Sequence, residues 1–194
     1  MNDRLRRVVT LVALLNLAYF GIEFIVARAI GSVSLFADSV DFLEDASLNL
    51  IIAVALNWRA RNRAWLGMGL AGIILVPGVA TLWTAWAKFH SPLPPGALKL
   101  SVTAAGALVV NLTCALILAR HRRLGGSLTR AAFLSSRNDV FANVAMIASG
   151  FITALTHSGW ADLIVGLGIA GLNADAAVKV WGTARAEHRS VRAV

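Results

Sequence analysis

The chain carries one cysteine, Cys114, so neither a disulfide framework nor a cysteine-rich metal site can form. Its four histidines, His90, His121, His157 and His188, all fall in predicted connectors or the tail, which excludes a histidine-bearing site at mid-membrane depth. Charged residues make up only 14%, and the ten acids are outnumbered by eighteen Lys and Arg. No long polar stretch exists from which a soluble domain could be built. His-Glu-x-x-His and Gly-x-Ser-x-Gly are both missing, and Cys114 has no histidine in an apolar segment to activate it. The chain is therefore not read as an enzyme. It also lacks low-complexity segments and any repeat beyond the general likeness of apolar helices.

What is present is apolar. The 194 residues are 58% hydrophobic, with a mean hydropathy of +0.71. At about 20 residues per crossing, that length accommodates six spans with short connectors. The predicted spans are Arg7–Ala29, Val33–Asn57, Trp65–Phe89, Leu98–Arg120, Leu128–Thr156 and Ala161–Ala184. The fold class expected is all-α: a polytopic membrane protein with a six-helix domain over 1–184 and a short tail over 185–194. The basic N-terminus followed by an apolar run imitates a signal peptide. The run is too long, has no clear cleavage site and leads into further spans, so it is read as the first helix. Trp58, Trp65, Trp83, Trp86, Trp160 and Trp181 cluster near span ends, as interfacial belts do, and Gly67, Gly69 and Gly72 favour close helix packing.

The net charge of +8 is distributed unevenly. Arg4, Arg6 and Arg7 precede the first span; Arg59, Arg61 and Arg63 fill the second connector. Arg120, Arg122, Arg123 and Arg130 surround the fourth connector, and Arg185, Arg189 and Arg192 follow the last span. The other connectors hold only Arg28, Lys88 and Lys99. This alternation places both termini in the cytoplasm, and the membrane expected is the cell's inner (cytoplasmic) one. The basic groups then face anionic lipid head groups rather than nucleic acid.

Against this background the acids stand out. Asp41 and Asp45 lie on one helical face within the second span, with Asp38 and Glu44 beside them. A central Asp costs about 2.5–3.5 kcal/mol to insert, so paired acids in hydrocarbon point to a cation site or a proton path. At 1.5 Å per residue, Asp41 and Asp45 lie roughly 12 and 18 Å below the outer end of their helix. Asp139 lies roughly 15 Å from the inner end of the fifth. In a core about 30 Å thick, the three can meet near the midplane. Glu23 on the first span is level with Asp38, towards the outer side.

Residues 31–45, Gly-Ser-Val-Ser-Leu-Phe-Ala-Asp-Ser-Val-Asp-Phe-Leu-Glu-Asp, resemble the second-helix signature of the cation diffusion facilitator family. Residues 135–143, Ser-Ser-Arg-Asn-Asp-Val-Phe-Ala-Asn, resemble its fifth-helix signature. The resemblance implies a transport domain over 1–184 that exports divalent metal, usually zinc, cadmium, cobalt, iron or manganese, in exchange for protons. It implies ligand places at Asp41, Asp45, Asp139 and Ser135, the last being serine where the family usually has His or Asp. Water or Glu44 could complete the set, with Asn138 and Asn143 as possible supporting residues. No resident cofactor is expected. A histidine-rich connector and the family's soluble C-terminal domain are not found, and a homodimer is the expected assembly.

The physical chemistry is compatible with exchange. Crowded carboxylates in a low-dielectric place cannot all stay ionised, so the empty site holds protons that an arriving cation expels. All-oxygen ligands favour hard ions such as manganese or iron, whereas family frequency favours zinc.

Several readings stay open. Glu23, Asp38 and Glu44 either line an access path or proton relay, or serve as hydrogen-bonding acids between helices. Arg137 either reaches the membrane surface or neutralises an acid, and Asp175 faces the same choice. Asp162 marks the outer end of the sixth helix. Asn16, Asn49, Asn111 and Asn173 are read as interhelical glue. The alternative for the whole chain is a non-transporting or accessory membrane protein that keeps the fold with a degenerate metal site.

Overall fold

The computed structural model describes residues 3–55, 79–90, 93–121 and 126–172. These form α1 (Asp3–Ile30), α2 (Val33–Ala55), α3 (79–90), α4 (Ala97–His121), α5 (Gly126–Thr156) and α6 (Trp160–Leu172), with no strand among the described residues. The predicted third and sixth spans are thus described in part, and Gly67, Gly69, Gly72, Asn173 and Asp175 lie outside the described residues. Among the described residues, three helices are long and apolar enough to cross a membrane: Arg6–Ile30, Ala97–Arg120 and Ser136–Thr156. The 23-residue α2 is long enough, but Asp38, Asp41, Glu44 and Asp45 keep it from qualifying by composition.

Each reversal has a local cause. Gly31 adopts φ 67°, and the Ser32 amide donates to the Ala27 carbonyl at 3.1 Å. That is a Schellman ending, with glycine where a side chain would be strained. Ser32 then caps α2, its hydroxyl accepting from the Leu35 amide at 3.2 Å. At the α5–α6 reversal, His157 takes φ 50° and its amide donates to the Thr153 carbonyl at 2.9 Å. Pro94 and Pro95 separate α3 from α4, since proline cannot continue a helix.

The bundle is layered along its axis. Near the Gly31 turn, Ala27, Leu35, Phe36, Ala37, Leu100, Ala104, Met146 and Ile169 form one apolar core. At the other end, Val9, Val12, Ile52, Ala53, Cys114 and Leu118 form a second. Between them is a buried polar layer containing Asn16, Glu23, Asp38, Asp45, Asn49, Asn111 and Asn143. Large apolar side chains face outward instead, Leu98 at 78% and Leu155 at 83% exposure among them. An apolar exterior around a polar middle is the arrangement a bilayer stabilises.

Candidate metal centre

α2 and α5 run antiparallel through the polar layer, so each turn along α2 meets a turn taken in reverse along α5. This produces three levels. Towards one end, the Ser136 hydroxyl donates to Asp45 Oδ2 at 3.1 Å. Next, Asp139 lies near enough to Asp41 and Asp45 to act on both by charge. Towards the Gly31 end, Asn143 Nδ2 donates to Asp38 Oδ2 at 2.8 Å. Asn143 Oδ1 itself accepts from Asn111 Nδ2 of α4 at 3.0 Å. Asp139 therefore lies at the level of Asp41 and Asp45, whose offset of four residues puts them on one face.

Asp45 is buried, while Asp41, Asp139 and Glu44 are half-buried. No group of three or more His, Cys, Asp and Glu among the described residues closes tightly enough to hold an ion. Carboxylates facing one another repel, and here they face without forming a cage. Chemically, the arrangement gathers carboxylate oxygens from two helices.

The model of the cation efflux transmembrane domain matches residues 9–183, nearly the whole chain. The chain belongs to the cation efflux family. This is the membrane domain of the cation diffusion facilitators, whose members are metal cation transporters rather than enzymes in the usual sense. Family membership and the apolar helices together make the chain an integral membrane protein. Among curated proteins, none matches it significantly.

Within this cation efflux domain, the residues singled out by sequence have distinct placements. The side chain of Ser135 lies outside the described residues, and its neighbour Ser136 is the one seen bonding to Asp45. Asn138 does not support the centre: it is exposed and accepts from Arg137 Nη2 at 3.5 Å. At 3.6 residues per turn, position 138 points away from the face shared by 139 and 143. Arg137 is exposed too, and meets Asn138 rather than an acid. Asn143 is fully buried but serves Asp38, not the Asp41–Asp139 level. Glu23 on α1 is fully buried, with its carboxyl facing that of Asp38.

Two features of this cation efflux domain escaped the sequence reading. Ser136 was findable: if Asp139 faces Asp41, the residue three earlier in α5 faces one turn further along α2. Asp162 was not. Fully buried at the start of α6, it accepts from Ser32 Oγ and Ser34 Oγ at 2.6 Å each. It also accepts from the amides of Val33 at 2.8 Å and Ser34 at 3.2 Å. Lys88 Nζ of α3 adds an ion pair at 3.4 Å. Asp162 thus caps the start of α2 from another helix, taking amides that have no partner within it. Gly166, one turn on, permits the approach: a Cβ there would stand 2.7 Å from the Ser34 nitrogen and the Val33 carbonyl carbon.

Proposed function

We propose that this protein exports divalent metal ions in exchange for protons, binding the metal between α2 and α5 at Asp41, Asp45 and Asp139. Ser135, at the fourth family ligand place, or water completes the coordination. The observation that carries the reading is that Asp139 of α5 lies within charge range of both Asp41 and Asp45, in a polar layer enclosed by two apolar cores. Acids are expensive at that depth and are retained where they serve ion movement.

A cation that binds deprotonated oxygens displaces protons, and separation of α2 from α5 releases it. Oxygen-only donors accept zinc at four-coordinate geometry and suit manganese or iron equally. The positions of the arginine-rich connectors support cytoplasmic termini and a place in the cytoplasmic membrane. A homodimer is the working unit we assign.

The test is uptake of zinc, manganese, cobalt, iron and cadmium into proteoliposomes with an internal pH dye, for wild type and Asp45→Asn. Metal flux with opposing proton flux, lost in the variant, supports the exporter. A second reading, a family member with a degenerate site, is favoured by the absence of a closed ligand group among the described residues. Folded, inserted protein that moves none of the five metals would establish that reading instead.

A further inference from the structure

We propose that Glu23 and Asp38 form a proton-carrying pair of their own, beside the metal carboxylates, which is loaded and emptied once per transport cycle. The inference rests on the exporter reading and gives part of the counter-ion a place outside the ligand set.

The geometry begins with missing donors. Glu23 is fully buried on α1, and neither of its carboxyl oxygens receives a hydrogen bond from any protein group. Asp38 is fully buried on α2, and its Oδ1 is likewise unserved. The two carboxyl groups face each other. The remaining oxygen, Asp38 Oδ2, is served by Asn143, which is in turn held by Asn111. That amide chain has a direction, since each donor points towards Asp38. It supports Asp38 as an acceptor and leaves Oδ1 and Glu23 as the place where a hydrogen is required.

The surroundings offer no substitute. Tyr19, the nearby ionisable group on α1, commits its hydroxyl to the Thr103 carbonyl of α4 at 2.6 Å. The charged groups that act on the pair from α2 and α5 are Asp41, Asp45 and Asp139, all acids. Two facing buried carboxylates that no protein donor serves are disfavoured as a doubly ionised pair, and one shared proton supplies the absent donor and removes a charge. A purely structural role is a poor alternative, because a structural buried acid is surrounded by donors, as Asp162 is.

Coupling follows from position. Asp38 stands one turn from Asp41 on the same helix, so a divalent ion at the metal centre favours ionised carboxylates at the pair. The carboxyl O–H bond then breaks, the oxygen keeps the electron pair, and the proton passes to water in the opened cavity. Departure of the metal reverses the step. No oxidant or reductant takes part.

The experiment measures the proton-to-metal ratio in proteoliposomes, using zinc and manganese as probes, for wild type, Glu23→Gln and Asp38→Asn. Metal affinity is measured alongside by calorimetry in detergent. Each isosteric amide is expected to lower the ratio by about one proton per metal. Affinity should stay within about threefold of wild type. An unchanged ratio in both variants, or loss of metal affinity by more than about tenfold, overturns the proposal. If Glu23→Gln does not fold, Asp38→Asn carries the test. Failure of both to fold makes the pair structural and refutes it. Wild type that moves no metal sinks the exporter reading, and this inference with it. Wild type that moves metal against protons, with the ratio intact in both variants, sinks this inference alone.

Discussion

Asp162, at the Gly31 end of the bundle, and Glu23, within the polar layer, are equally buried and have opposite surroundings. Asp162 takes two backbone amides, two serine hydroxyls and a lysine, from the turn before α2, from α2 itself and from α3. Glu23 takes a hydrogen bond from nothing in the protein. Burying a charge is costly unless partners compensate, so the two acids cannot be doing the same work. The first is a permanent charge built into the architecture, tying α6 and α3 to the start of α2. The second is served by no protein donor, which is the basis of the proton-carrying role proposed for it. The Asp41–Asp139 level lies between these extremes, half-buried and facing other acids.

The comparison can be broken at either end. The largest effect is expected at the metal centre itself. Asp139→Asn should cut metal flux by about 100-fold or more while the protein elutes and melts like wild type. Flux above a tenth of wild type would remove Asp139 from the ligand set. Next comes Asp162→Ala, which strands Lys88 and the α2 amides without an acceptor. A loss of about 3–5 kcal/mol is expected, read from thermal or denaturant unfolding in detergent. A change under about 0.5 kcal/mol would place Asp162 with ordinary surface charges.

Gly166→Ala tests the same junction by shape instead of charge. Its Cβ must enter space held by the backbone of Val33 and Ser34, so about 1–3 kcal/mol should be lost. Unaltered stability would mean that α6 shifts away freely. Glu23→Gln should move stability in the other direction, by about 0–1 kcal/mol gained, because it removes an acid that nothing serves. Destabilisation comparable to Asp162→Ala would abolish the distinction between the two sites. Ser136→Ala removes one hydrogen bond to Asp45, at about 0.5–1.5 kcal/mol. It should weaken metal binding severalfold in calorimetry without abolishing flux, and complete loss of binding would raise Ser136 to a ligand.

Much of the architecture was readable because membrane helices are governed by local rules. Span length follows from bilayer thickness, and the turn at Gly31 was visible as a break between two apolar runs. The pairing of α2 with α5 followed from putting Asp41, Asp45 and Asp139 at one depth. Depth, however, does not give rotation. Asn138 was placed near the centre by sequence proximity to Asp139, yet one residue turns a helix by about 100°, and the structure has it exposed beside Arg137. Asn143, four residues beyond Asp139, stays on the inner face but one level away, at Asp38. Ser136 lies on that face towards the other end, next to the family ligand position at 135, and bonds to Asp45.

By itself, the sequence determined that this chain is helical and apolar, that four of its acids lie on the second helix, and that Asp41 and Asp45 there can share a depth with Asp139 of the fifth. These properties depend on composition and on periodicity within one helix. Only the tertiary structure decided which buried acids are satisfied and which are not. A hydrogen-bond partner is chosen by where helices cross, and Ser32 and Asp162 meet across 130 positions of chain. Nothing in the residues flanking Asp162 marks it as a cap for a distant helix. Nothing flanking Glu23 marks it as unserved, because the absence of a donor is a property of the space around it.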